Sequence, residues 1–381
     1  MADTGFRLWL GSAPATLEEL ARVEEIVVEQ EMDVSWEARI RLALCLDEAG
    51  HWKHDKDEFN EPFTRIRVEM VVDGSVTPLI DGSVASVDTA MDARPGRSSL
   101  TLVVQDDRFL LDRVEAVDVR EQASEAALAA ELFDELPQAE TPHRIQPPDN
   151  DPPRNLVRRG SPMAFLSSLA RARHWHAYVL PGSTPGSSIG CYLPDPTEPP
   201  LLPPLTLMGS GRNLDEVQVT RDGAGPQSTQ AHTLRDGDGQ VESQDTAQQE
   251  AALLRDFPAV PLDRQATRLL PPEENHPDTA AAHAAGRAAR SAGAYRLSGK
   301  VVPGCYSAVL SPYQRITLRA GDSPLSGDWL LTKVTHRITP SLYTQDIEAR
   351  SDSQADTATP PDPAGGAGGL SLGFSASFSL V

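Results

Sequence analysis

Residues 36–45, WEARIRLALC, place Trp36, Ala38, Ile40, Leu42 and Leu44 on one side of an extended chain, with Glu37, Arg39, Arg41, Ala43 and Cys45 on the other. Successive side chains of a strand point to opposite faces, so this alternation predicts a half-buried strand. The pattern recurs in TRIRVEMVVDGS, where Ile66, Val68, Met70 and Val72 alternate with Arg65, Arg67 and Glu69 ahead of an Asp73-Gly74 turn signal. SSLTLVVQDD follows across Pro95-Gly96. Repeated strands with one apolar and one charged face, joined by Gly-containing turns, restrict the first hundred residues to an antiparallel sandwich or barrel.

The period then changes. SEAALAAELFDEL sets Leu128, Leu132 and Leu136 one helical turn apart behind Ser124, a plausible N-cap. After the proline-rich PQAETPHRIQPPDNDPP, Ser161-Pro162 opens a second helix, PMAFLSSLARAR, with Phe165, Leu166 and Leu169 on one face and Arg171 and Arg173 near its negative end. HAYVLPG reads as a short strand before a second proline cluster, PDPTEPPLLPP. Residues 222–277 carry many Gly, Gln, Asp and Pro, which predicts a long mobile loop after LDEVQVTRD. DTAAAHAAGRAARSAG is a third helix, starting at Asp278 and stopping at Gly293. The strands YRLSGKVVPG, YQRITLRA, GDWLLTKVTHRIT and SLYTQDIEAR follow, the last two as a hairpin about Pro340-Ser341.

A glycine tether, PAGGAGG, leads to LSLGFSASFSLV at the end of the sequence. There Leu370, Leu372, Phe374, Ala376, Phe378 and Leu380 alternate with serine and glycine, and no side chain is charged. An uncharged strand on a tether is an aggregation hazard unless a sheet edge receives it, which marks these residues as a partner-binding candidate.

Composition excludes several functions. The 381 residues hold 34 basic and 55 acidic side chains, a formal charge of −21, which opposes nucleic acid and anionic membrane as partners. No apolar run of about 18 residues is present, so membrane insertion by a helix is not expected. Cys45, Cys191 and Cys305 are far apart and odd in number, which suits free thiols in a reducing compartment, and the first residues lack a basic, apolar leader. His51 and His54 beside Asp55, Asp57 and Glu58, and His174 and His176 flanking Trp175, have the residue types of metal ligands, but loop charge and packing account for them equally well. DGDGQ at 236–240 lacks the spacing of a calcium loop. No nucleophile elbow or zincin helix occurs, so neither catalytic residues nor a metal or other cofactor are expected.

The order of these parts resembles the phage late control protein D family, the baseplate hubs of contractile tails, with relatives in type VI secretion (VgrG-like proteins) and injection particles. GSVASVDTAMDARPGRSSLTLVVQDDRFLLDR is similar to its β segment before a helical insertion. NLVRRGSPMAFLSSLARARHWHAYV is similar to its helix-then-strand element. The region from DTAAAHAAGRAARSAG to SLYTQDIEAR is similar to its C-terminal block, with the Gly-Asp-Trp strand running into a final hairpin. The resemblance spans roughly residues 20–350. The sequence departs from the pattern in the proline-rich stretch 137–154, in the enlarged segment 222–277, and in lacking a following needle.

The resemblance implies an α+β, mainly β fold: two similar antiparallel β-barrel, tube-like modules with an α+β insertion between them. The implied domains are 1–115, 116–204, 205–350 containing the loop at about 222–277, and a linker with terminal strand at 351–381. It implies a homotrimeric structural ring joining a sixfold inner tube to a threefold spike. The implied partners are a separate spike protein, the inner tube protein, baseplate components and a cargo or tape-measure protein. Synthesis would be cytoplasmic, with assembly into a phage tail or tail-like injection particle. The terminal strand would pair with the spike, a neighbouring hub chain or its own barrel. The competing reading is a β-rich tail-associated hydrolase or carbohydrate-binding protein.

Overall fold

The computed structural model describes residues 4–53, 57–94, 96–149, 151–234, 241–244, 253–271 and 279–356. The fold is α+β and mainly β. Its first part holds β1 (Thr4–Leu10), β2 (Ala13–Pro14), the short α1 (Leu17–Ala21), β3 (Val23–Glu31), β4 (Glu37–Ala43), β5 (Arg65–Val72), β6 (Ser75–Ala90) and β7 (Ser99–Asp106). Every apolar member of the WEARIRLALC alternation is buried, as are Ile66, Val68, Met70 and Val72. The Asp73-Gly74 signal is a two-residue hairpin turn between Val72 and Ser75, with both residues at positive φ (48° and 83°), the geometry that matches strand twist. The first half of the long β6 pairs with β5 and its second half with β7, so one bent strand serves two neighbours. A register shift opposite Pro78, which has no N–H to give, marks the bend. The sequence reading had no strand at residues 4–10, yet β1 pairs with β5 along its whole length.

The insertion comprises α2 (Arg108–Leu111), β8 (Ala116–Ala123), α3 (Glu125–Phe133), β9 (Arg144–Ile145), β10 (Arg154–Gly160), α4 (Pro162–Ala172), β11 (Trp175–Pro181) and β12 (Ser188–Pro194). Ser124 caps α3 as expected, accepting from the Ala127 N–H at 3.2 Å, and Asp151 accepts from two further N–H groups of its first turn. Ser161 caps α4, with Pro162 as its first residue. The buried line of α4 is Pro162, Met163, Leu166 and Ala170, while Phe165 and Leu169 pack at its edge. These side chains form a core with Leu128, Leu132 and Phe133 of α3 and Ala177, Val179 and Tyr192 of the β11–β12 hairpin.

The last part holds β13 (Leu205–Thr206), β14 (Leu214–Arg221), β15 (Gln227–Leu234), β16 (Val241–Gln244), β17 (Phe257–Pro258), β18 (Ala266–Leu269), α5 (Ala280–Ser291), β19 (Tyr295–Val301), β20 (Arg315–Arg319), β21 (Gly327–Thr339), β22 (Leu342–Ser351) and β23 (Ser353–Gln354). The predicted hairpin of β21 and β22 is present, with Thr339 opposite Leu342. The stretch 222–277 is not simply a loop: β15 pairs antiparallel with β16 and parallel with β18, and β17 pairs with β23. Largely polar residues form the β15 ladders because the bonds are between backbones, and Ala231 of β15 packs with Leu270, Ala280 and Ala284. Helix α5 has Thr279 at its N-cap position, and Asp278, the predicted start, lies outside the described residues.

One 13-stranded sheet contains strands of both the first and the last part. Its path is β14-β19-β22-β21-β3-β4-β7-β6-β5-β1-β2, with β20 and β13 branching from β21. Like β6, β21 is shared: residues 327–330 pair with β20 and residues 333–338 with β3. Separate apolar clusters lie under the two halves, one around Ile26, Ile40 and Leu102 and one around Trp329, Leu331 and Tyr295. Among the described residues the path ends at β14 and β2 and closes no ring, where the sequence reading expected barrels; pairing between β21 and β3 makes the halves continuous instead.

Candidate functional site

The predicted partner-binding residues Leu370, Leu372, Phe374, Ala376, Phe378 and Leu380 lie outside the described residues, as do His54, Asp55 and the DGDGQ stretch. Cys191 is buried and Cys45 and Cys305 are exposed; burial pushes the Cys191 thiol up to about 12. His51 is an exposed loop residue turned toward Asp47 at 3.4 Å. Among the described residues no group of three or more His, Cys, Asp or Glu side chains is arranged to hold a metal. Among the described residues no helix is long and apolar enough to cross a membrane.

The charged chemistry collects instead where the insertion meets the two halves of the sheet. His174 and His176, at the start of β11, converge on Asp195 just after β12, with 2.9 Å from each Nε2 to a separate carboxylate oxygen. Nδ1 of His176 faces Asp33, in the β3–β4 turn, at 3.0 and 3.1 Å. Arg350 of β22 donates to both Asp195 oxygens at 2.7 and 2.6 Å. A carboxylate only accepts, so His176 must donate from both ring nitrogens and stands as an imidazolium. Burial works to lower its pKa, but the bonds to Asp195 and Asp33 outweigh it and hold the group above its ordinary value. Burial dominates at His174, whose pKa is lowered. At Asp195 burial is outweighed by His174, His176 and Arg350, and the carboxyl lies well below its usual range.

Tyr313, from the loop before β20, completes this junction. Its ring stacks on Tyr178 with centroids 3.7 Å apart, meets His176 edge-on, and its hydroxyl accepts from the Asp33 N–H at 2.7 Å. Asp33, His174 and Tyr313 all have positive φ (61°, 58° and 63°), a backbone conformation that L residues enter at a cost unless their surroundings fix it. Sequence inspection found His174 and His176 but not their partners, because Asp33, Asp195, Tyr313 and Arg350 are remote in the chain.

A second network ties the insertion to the first half. Arg65 pairs with Asp81 at 2.6 Å and Asp107 at 2.8 Å, and Arg67 with Glu69 at 2.7 Å and Asp81 at 3.0 Å. The β11–β12 turn covers them: Arg67 donates to the carbonyls of Gly182 and Thr184, the Gly186 N–H donates to Asp81, and the Ser188 hydroxyl to Asp107. Arg67, Glu69, Asp81 and Asp107 are buried, so the face of β5 that alternation assigns to solvent is an internal contact. A third tie crosses the seam of the sheet. His336 of β21, fully buried, reaches Gln30 of β3 at 3.2 Å and the Tyr343 hydroxyl at 2.9 Å. The Gln30 amide donates to the Leu79 carbonyl, which leaves its oxygen to accept from His336 Nε2–H; burial favours the neutral ring, whose Nδ1 then accepts from the Tyr343 hydroxyl. In the first two networks acids and bases are matched to one another, and in the third neutral donors meet acceptors, arrangements that hold elements together.

No protein-family profile matches the chain, and no curated protein sequence matches it. Solved structures do. A tail protein from Neisseria meningitidis superposes with a TM-score of 0.60 at 13% identity, covering 92% of this chain and 96% of that one. The 43 kDa tail protein of prophage MuSo2 from Shewanella oneidensis superposes with a TM-score of 0.62 at 13% identity, covering 92% of this chain and 100% of that one. An E. coli component of the type VI secretion system, described as structurally similar to the T4 bacteriophage tail proteins gp27 and gp5, gives 0.54 at 11% identity over 86% of this chain and 73% of that one. This chain has the fold of those tail proteins. At such identities the likeness is one of fold.

Proposed function

We propose that the protein is a structural hub of a contractile tail or injection particle, forming a homotrimeric ring that joins a sixfold inner tube to a threefold spike. The observation that carries this reading is end-to-end correspondence with a tail protein, over 92% of this chain and 96% of its counterpart. Two tube-like β modules, residues 1–115 and 205–350, would then be presented by each chain, six to a ring, with the insertion bracing them. A subunit placed this way needs repeated, rigid surfaces more than a pocket. The buried ion networks that fasten insertion to sheet supply that rigidity, and on this reading the protein has no catalytic role. Its partners would be the spike, the tube protein, other baseplate components and a cargo or tape-measure protein.

Light scattering on the full chain, with and without a co-expressed spike, tests the ring. A mass near three chains is the expected result, and a monomer that persists with the spike present would sink the reading. The terminal strand is proposed to add to a sheet edge of the spike or of a neighbouring chain. Deleting residues 364–381 should leave a folded hub that no longer retains the spike; unchanged retention would return the strand to its own module.

A further inference from the structure

Two clefts open side by side against the C-terminal turn of α4. The smaller, about 110 Å³, lies over the His174–His176 junction, and the larger, about 360 Å³, runs between α4 and α5 to Gln227 and Ser291. Arg171 and Arg290 line both, so the two form one groove, with Arg287 on the wall of the larger and Arg350 on the wall of the smaller. The acids at its narrow end are already engaged: Asp33 by His176, and Asp195 by both histidines and Arg350. Among the described residues, neither Arg171 nor Arg287 has a carboxylate within ion-pairing distance. In a chain with 55 acids to 34 bases, two neighbouring arginines, Arg171 and Arg287, with no acid beside them among the described residues are the reverse of what composition favours.

The gathering is built in by a close approach. Gly286 sits inside α5, where glycine costs about 1 kcal/mol relative to alanine. A Cβ there would lie 2.5 Å from the carbonyl carbon of Arg173 and 2.8 Å from its Cα. Only glycine lets α5 rest on the end of α4, and the contact sets Arg287 and Arg290 beside Arg171. Arg290 donates to the Arg171 carbonyl in the last turn of α4, which also accepts from the His174 N–H at 3.3 Å.

We propose that this groove docks a carboxylate-rich polypeptide segment of a partner protein. Guanidinium groups match carboxylates in planar, paired hydrogen bonds. A short acidic segment brings charge that the groove neutralises, whereas a long polyphosphate would carry most of its charge past the groove, against a surface of net charge −21.

The test uses the full chain and a fluorescein-labelled hexaglutamate peptide, read by anisotropy at low and physiological salt. Binding should weaken with salt, and should fall roughly tenfold or more in the Arg171→Glu/Arg287→Glu double variant. The exposed control Arg39→Glu should bind as wild type, with circular dichroism checking that all three are folded. No binding by wild type, or equal binding by the double variant, overturns the proposal. Tighter binding of a hexathymidylate oligonucleotide overturns the choice of a polypeptide. An oligomeric wild type that becomes monomeric in the double variant overturns the choice of a foreign partner in favour of a second copy of this chain.

Discussion

His176 and His336 are both buried, yet they respond to pH with opposite signs because one lies between carboxylates and the other between neutral groups. The folded pKa of His176 is raised above 6.5, so its contribution to stability is full below that value and is lost as pH rises through the folded pKa. Burial lowers the His336 pKa from 6.5 to about 3, so its contribution is full above 6.5 and is lost as pH falls toward about 3. Urea midpoints should therefore decline as pH drops from about 7 to about 4, and that acid-side slope should flatten in His336→Phe whatever its absolute stability. An unchanged slope would mean that His336 is accessible to protons when folded. Arg67 gives a prediction of size. Its removal in Arg67→Ala leaves Glu69 and Asp81 buried with less compensation, and should cost about 3–5 kcal/mol in denaturant unfolding; a loss below about 1 kcal/mol would show the face to be hydrated. The alternation of residues 65–72 was legible and correctly buried Ile66, Val68, Met70 and Val72. It could not foresee that the β11–β12 turn covers the charged side as well, since nothing local records what lies above a strand.

Helix starts were readable because their chemistry is local: Ser124 and Ser161 both cap where the sequence placed them. Ser161→Ala should cost about 1–2 kcal/mol, since the hydroxyl also donates to Asp112 at 2.6 Å, and a thermal melt would detect it. Gly286→Ala is the sharper case. Helix propensity alone favours the variant by about 1 kcal/mol, yet the new Cβ meets the backbone of Arg173, so its melting temperature should fall. A rise would show that α5 moves away freely. Several of the elements that sequence reading missed share a cause. β8 leaves Val117 and Val119 exposed, β12 is short and contains glycine and cysteine, and β15, β16 and β18 are largely polar in sequence. In each, strand formation is fixed by the partner backbone and not by an amphipathic pattern.

At the scale of the molecule the deciding contact is β21 against β3, which joins residues 26–31 to residues 333–338 and sets Ile338 within the first core. A chain cut after residue 115 loses that neighbour and bares the edge of β3. It should self-associate where the full chain does not precipitate, as sedimentation would reveal; a stable, monomeric fragment would show the first half to be independent. By itself the sequence determined that the protein is mainly β, where β4 to β7, β11, β19 to β22 and three helices lie, which apolar positions fill much of the cores, and that the chain carries a charge of −21. These follow from periodicity, capping and composition, which act over a few residues. Only the tertiary structure decided that the two halves share one sheet, that Asp33, His176, Asp195 and Arg350 meet, and that arginines of α4 and α5 line one groove. Those facts depend on close approach between residues more than a hundred positions apart, which local patterns do not encode.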